Sequence, residues 1–226
     1  MIEKFFSSEA KEAVRPDMET NKPEGSMSKS EITEFINDEL GKLREDSPNP
    51  SIESDESSFL GWDEEDIIID FEMDDTVESV LERFEENEWN TLSEHERTDA
   101  IEDLIFAVSK ALGLDKVPKV LFYSGDDDTY GGFIQDKNTI ELNKRFLDNP
   151  KEMVNTATHE TRHAYQHMRA NMLENDIDQM YKNNFDNYVQ PIRDQNGNWI
   201  NFLDYQDQFV EVEARAFANI FTEAIK

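Results

Sequence analysis

Residues 154–172 read VNTATHETRHAYQHMRANM, and this stretch holds three of the four histidines in the 226-residue chain. His159 and His163 enclose Glu160 in the pattern H-E-x-x-H. Residues four apart lie on one face of an α-helix, so both imidazoles can reach a single metal ion. Apolar residues just before the pattern recur at helical spacing, which predicts a helix with one buried face.

The pattern H-E-x-x-H supplies residue types that zinc-dependent hydrolysis needs. Neutral imidazoles bind Zn2+, and zinc acidifies a water molecule and polarises a carbonyl group. Glu160 adjoins the first histidine, where its carboxylate can take the proton from that water as a general base. The alternative is a histidine-rich helix that carries the pattern by accident. The helical context and the scarcity of histidine elsewhere favour a zinc site, with Zn2+ as cofactor and Glu160 as the catalytic residue.

His167 continues the spacing of four but lies two helical turns from His159. A straight helix cannot bring three residues spread over eight positions to one tetrahedral ion. The metzincin pattern solves this with a glycine and a later histidine, but those positions hold Gln166 and Arg169 here. The metzincin class is therefore excluded. His167 is predicted to lie on the helix surface or to support a ligand rather than to be one.

The third ligand is expected in residues 208–221, QFVEVEARAFANIF, which form an apolar helical stripe with small residues. Small residues let two helices approach closely. Glu211 shares the apolar face, whereas Glu213 is expected to face outward. A carboxylate on an apolar face is costly unless something pairs with it, and a zinc ion would do so. Glu211 is the predicted third ligand; pairing with Arg215 is the alternative.

These residues together resemble the gluzincin type of zincin metallopeptidase. The segment EVEARAFA, residues 211–218, is similar to the third-ligand helix E-x-x-A-D-x-F-A of integral-membrane gluzincins and to the equivalent helix of ImmA/IrrE-type regulatory peptidases. Arg215 departs from the Asp or Asn usual at its position. The resemblance covers roughly residues 91–226 and implies a zinc site formed by His159, His163 and Glu211.

The resemblance also implies a fold and a mode of substrate binding. The implied fold is α+β: a minimal zincin-like metallopeptidase domain, mostly helical, with a small antiparallel sheet. A strand hairpin within YGGFIQDKNTIELN, residues 130–143, would place an edge strand beside an extended peptide substrate.

Local patterns along the chain agree with an α+β order. Residues 66–73, DIIIDFEM, are a candidate strand or buried run, and Thr76 can cap a helix over residues 76–89. A second helix over residues 93–113 has a capping box at its start and Gly113 at its end. Extended runs are predicted in KVPKVLFYS, residues 116–124, and on both sides of DKN, residues 136–138.

About forty residues separate the two helices that carry the predicted ligands. An insertion of this length commonly forms a cleft wall or a lid. Tyr188 and Tyr205 lie in or beside it and are candidate transition-state stabilisers, because each hydroxyl could donate a hydrogen bond to an oxyanion. The alternative for each tyrosine is packing between helices.

The chain is strongly acidic, with 52 acidic against 22 basic residues and a formal net charge of −30. Most of the excess lies in residues 1–100, and such a chain repels phosphate backbones, so a nucleic-acid partner is not expected. The absence of cysteine excludes disulfides and thiolate ligands. No apolar run suggests a cleaved signal or a membrane span, so the expected location is cytoplasmic, or exported without a cleavable signal peptide.

Residues 1–65 have the composition of an acidic region of low order, with a short amphipathic helix near residues 28–46. That helix could dock on a partner or on the same chain. Residues 66–226 are predicted to form the metallopeptidase domain, whose substrate would be a protein or peptide. The alternative functions are a zincin-like regulatory or protein-interaction module, or a secreted toxin or effector, with little general proteolysis.

Overall fold

A computed structural model describes residues 67, 69–125 and 128–225 of the chain. The expectations for residues 1–65, including the helix near residues 28–46, lie outside the described residues. Within them, helices predominate and strands form a small mixed sheet, which confirms the α+β class.

The first helices lie before the sheet: α1 (Asp75–Leu81), α2 (Glu86–Trp89) and α3 (Glu94–Ala111). The predicted continuous helix over residues 76–89 is wrong, because a 3-10 turn at Glu82–Phe84 separates α1 from α2. Asp74 caps α1 in place of Thr76, since its side chain accepts a hydrogen bond from the amide of Val77.

Helix α3 begins and ends as its sequence predicts. Ser93 and Glu96 form a reciprocal capping box, which satisfies two of the amide groups that a helix start leaves unpaired. Gly113 follows the last turn at φ +70°, a left-handed conformation that glycine adopts without steric cost.

The sheet consists of β1 (Lys119–Tyr123), β2 (Gly131–Ile134) and β3 (Thr139–Asn143), in the order β1-β3-β2. β2 and β3 are antiparallel, but β1 is parallel to β3, so the expectation of a wholly antiparallel sheet is wrong. The reason is geometric. β1 and β2 run in opposite directions with β3 between them, so β3 must be parallel to one of them.

Glycine is required where β2 packs against the next helix. A Cβ atom at Gly131 would lie 2.6 Å from the carbonyl oxygen of Glu141 and 2.9 Å from Cγ2 of Thr156. Thr156 belongs to the helix that carries the histidines, so the close approach fixes the sheet against that helix.

The remaining helices are α4 (Pro150–Met172), α5 (Asp176–Asp186), α6 (Phe202–Gln206) and α7 (Phe209–Ala224). Asn149 caps α4, and Pro150 at its first position has no amide hydrogen to leave unpaired. α4 is the central element, because it packs against α3, α5, α7 and the strands β2 and β3.

Residues 69–74 have no regular secondary structure, so the candidate strand over residues 66–73 is not formed there. Ile69, Phe71 and Met73 nevertheless pack against the main core, at the alternating spacing that suggested a strand. The ring of Phe71 meets that of Phe217 at 5.0 Å in an edge-to-face contact. Residues 69–74 therefore form a half-buried run without strand partners.

Candidate metal centre

Helix α4 presents His159 and His163 on one buried face. Their ring centroids are 4.6 Å apart and the rings are nearly perpendicular, at 87°. Each residue is about 3% exposed. The spacing of four in the sequence therefore places two imidazoles side by side in the interior, as predicted.

Helix α7 brings Glu211 to the same place. Its Oε2 lies 3.5 Å from Nε2 of His159, and its Oε1 lies 3.5 Å from Nε2 of His163. Suitable ligand atoms of these three residues all lie within 4.8 Å of one another, and all three residues are buried. Two nitrogen donors and one carboxylate that converge in this way could hold a metal ion.

Small residues allow the two helices to approach. Ala214 and Ala218 of α7 and Ala157 of α4 are fully buried. The predicted apolar stripe of α7 is buried throughout, and its larger members Phe217 and Phe221 join the core that α3 and α4 share. The predicted close contact between α4 and α7 is therefore confirmed, and it sets Glu211 opposite the histidines.

The electrostatics of Glu211 follow from its neighbours. Complete burial would raise the pKa of its carboxyl group, but His163 and His159 outweigh burial and hold that pKa well below its ordinary range. A lowered pKa favours the carboxylate form of Glu211, which is the form that binds a metal ion. Arg215, the alternative partner, donates to the backbone carbonyl of Gln206 at 2.8 Å.

Glu160 is fully buried but is not a member of the three-residue group. It follows His159 directly on α4, where the sequence predicted a carboxylate beside the metal rather than on it. Buried carboxylates are uncommon because removing the charge from water is costly. The structure therefore shows a buried carboxylate that directly follows a candidate ligand on α4.

The two predicted tyrosines occupy different places. Tyr188 donates a hydrogen bond from its hydroxyl to Oε1 of Glu211, so its hydroxyl is at the site. Tyr205 is buried and meets the ring of Tyr188 edge-to-face, with centroids 6.2 Å apart. Packing therefore accounts for the ring of Tyr205, whereas Tyr188 contacts a candidate ligand.

His167 lies between two aromatic rings. It stacks on Phe185 at a centroid distance of 3.7 Å, and its ring centroid is 5.8 Å from that of Phe133. Burial, with a smaller contribution from His163, lowers the pKa of His167 to about 3. The neutral ring is half-buried and packs between Phe133 and Phe185. It is not a member of the three-residue group.

Glu213 is buried, so the expectation that it faces outward is wrong. Nε of Arg162 donates to its two carboxylate oxygens at 2.9 and 3.0 Å, and the hydroxyl of Tyr181 donates to Oε1 at 3.1 Å. The expectation assumed that α7 has one buried face. α5 covers a second face of α7, because Tyr181 of α5 packs beside Phe209 and Val210.

Sequence reasoning did not identify Arg162, Gln166 and Tyr181 as part of this region. Gln166 is fully buried, and its side chain lies between His163 and Glu213. Two of the three residues lie near His163 on α4: Arg162 directly precedes it, and Gln166 follows three residues later. The signal available in the sequence was the presence of the polar residues Arg162 and Gln166 beside His163, on a helix predicted to have one buried face.

The chain was compared with protein-family models, curated proteins and solved structures. No protein-family model, curated protein or solved structure matches the chain. Among the described residues, none of the helices combines the length and apolar character that a membrane crossing requires. The case for function therefore depends on the site itself.

Proposed function

We propose that the chain is a zinc-dependent metallopeptidase of the gluzincin type, which hydrolyses peptide bonds in a protein or peptide substrate. The observation that carries this proposal is the position of Glu211, which lies 3.5 Å from both histidines of the H-E-x-x-H pattern although α7 is distant from them in sequence. If the H-E-x-x-H pattern were accidental, there would be no reason for a buried carboxylate from another helix to lie beside its two histidines.

His159, His163 and Glu211 would hold the ion. Two imidazoles and one carboxylate match the ligand set of catalytic zinc sites, which use three protein ligands and keep a fourth position open. When bound, zinc supplies a Lewis acid that acidifies water and polarises the substrate carbonyl. The full set of donors comes from this chain's own residues.

Glu160 would move the proton. One of its carboxylate oxygens accepts a proton from the attacking water as the new C–O bond forms. The same group then delivers that proton to the amine nitrogen as the C–N bond breaks. Burial of Glu160 beside His159 supports this role, because a protected carboxylate can exchange the proton without competition from solvent.

Tyr188 would stabilise the charge that develops on the substrate. Its hydroxyl lies at the site, where it donates to Oε1 of Glu211, and it would turn from that carboxylate to donate its one hydrogen bond to the substrate oxyanion. Tyr205 would act by packing on Tyr188 and fixing the orientation of its ring. The edge position of β2, which packs against α4, supports an extended peptide that pairs with this strand.

The direct test is cleavage of a peptide library by the full chain after addition of zinc, with products identified by mass spectrometry. Glu160→Gln is the matched control, because it keeps the shape of the side chain and removes its ability to take a proton. We expect cleavage by wild type and a rate lower by about 10²–10⁴-fold for the variant. Zinc-loaded wild type that cleaves nothing would favour the regulatory or interaction module instead.

A further inference from the structure

Gln166 connects His163 to a charged pair deeper in the protein. It is fully buried on α4, one turn after His163. Its Oε1 lies 2.8 Å from Nδ1 of His163, the ring nitrogen that faces away from Glu211. At its other end, Nε2 donates to the carbonyl oxygen of Val210 at 2.9 Å and to Oε2 of Glu213.

The neighbours of Gln166 determine which way its amide oxygen and its NH2 group point. Both partners at one end, a backbone carbonyl and a carboxylate, can only accept hydrogen bonds. The ion pair with Arg162 keeps Glu213 in that accepting role. The NH2 group must therefore face Val210 and Glu213, and the amide oxygen must face His163.

An oxygen in that position needs a donor, and Nδ1 of His163 is the atom beside it. A neutral imidazole carries its proton on one nitrogen and offers a lone pair on the other. With the proton on Nδ1, the lone pair is on Nε2, which lies 3.5 Å from Oε1 of Glu211. This is the arrangement a metal ligand needs.

We infer that Gln166 is a positioning residue that holds His163 in the Nδ1–H tautomer, with the lone pair of Nε2 directed to the metal centre. Its orientation is in turn fixed by Glu213 and Val210 of α7, the helix that also carries Glu211. One buried amide thereby links His163 of α4 to α7, the helix that supplies Glu211. The inference deepens the proposed function and rests on it for its purpose.

The test uses the full chain with metal removed, in mildly alkaline buffer. Long-range proton–nitrogen NMR of the labelled protein shows which ring nitrogen of His163 carries the proton. Gln166→Met removes the acceptor and keeps the length of an unbranched side chain. We expect Nδ1–H in wild type, loss of that preference in the variant, and zinc bound about 10–100-fold more weakly.

Asn143→Ala is the matched control for a lost buried carboxamide. The side chain of Asn143 is also fully buried, and it bonds to the backbone of Gly125, Thr129 and Arg145 rather than to the site. We expect it to lower stability without changing the tautomer of His163 or its affinity for zinc.

Two results would overturn the inference: a proton on Nε2 of His163 in wild type, or a Gln166→Met variant that keeps both the Nδ1–H tautomer and the zinc affinity. Should the variant not fold, the wild-type spectrum decides alone. Should wild type bind no zinc, the proposed function fails, and the spectra still decide the role of Gln166 separately.

Discussion

Arg162 and Glu213 form a buried ion pair between the two helices that carry the candidate ligands. Arg162 precedes His163 on α4, and Glu213 lies two residues beyond Glu211 on α7. Burial would lower the pKa of the guanidinium, but the charge and hydrogen bonds of Glu213 outweigh it and raise that pKa. Arg162 also lies over the rings of Tyr165 and Phe217, so its charge is enclosed on several sides.

Removing one member of this pair should destabilise the fold strongly. Glu213→Ala leaves a buried guanidinium without its carboxylate and removes an acceptor from Gln166 and Tyr181. We expect the free energy of unfolding to fall by about 3–5 kcal/mol. Urea denaturation followed by circular dichroism measures the change.

Asp103→Ala is the control for that loss, because it breaks the exposed ion pair between Arg83 and Asp103. Exposed pairs contribute about 0–1 kcal/mol, so the control should stay close to wild type. Equal losses in the two variants would mean that the buried pair has no special role in joining α4 to α7.

Tyr188→Phe tests whether the tyrosine acts on the transition state. The variant keeps the ring that packs against Phe185 and Tyr205 and removes only the hydroxyl that reaches Glu211. We expect kcat for peptide cleavage to fall by about 10²–10³-fold with little change in KM. Tyr205→Phe should reduce kcat much less. A normal kcat in Tyr188→Phe would remove this tyrosine from the catalytic residues.

His167 should make stability depend on pH. Its pKa is lowered to about 3 in the folded protein, whereas an unfolded histidine titrates near 6.5. Between these values the unfolded chain binds a proton that the folded chain does not, so stability falls as the pH decreases from about 6.5 toward 3. Above about pH 6.5 the unfolded chain no longer binds this extra proton, so His167 causes no loss of stability there.

His167→Phe should remove this part of the pH dependence, since an aromatic ring without a titrating group can occupy the place beside Phe133 and Phe185. The measurement is the free energy of unfolding of both proteins at a series of pH values. We expect the wild type to lose more stability than the variant on acidification. Parallel curves would show that His167 is not held neutral by burial.

How far the sequence predicts this protein depends on the range of the interactions involved. Spacing along one helix predicts the pairing of His159 with His163, and an apolar stripe with small residues predicts that Glu211 faces inward. Those features are local to one element. Capping of α3 by Ser93 is local as well, and it too is predicted correctly.

Features that depend on a second partner are not predictable in this way. The prediction that Glu213 faces solvent is wrong because the sequence of α7 does not reveal that α5 covers a second face of α7. The parallel pairing of β1 with β3 likewise depends on where the chain after Tyr123 crosses the sheet. The fixed amide of Gln166 requires His163 of α4 to meet Val210 and Glu213 of α7, and the sequence of either helix alone does not show that contact.

The central claim is that His159, His163 and Glu211 bind zinc, and elemental analysis of the purified full chain tests it most directly. Glu211→Gln removes the ligand charge with little change in shape, and Glu223→Gln, at an exposed position of the same helix, is its control. We predict about one zinc ion per chain in wild type and in Glu223→Gln, and little in Glu211→Gln. A wild-type protein that holds no zinc and binds none on titration would contradict the account.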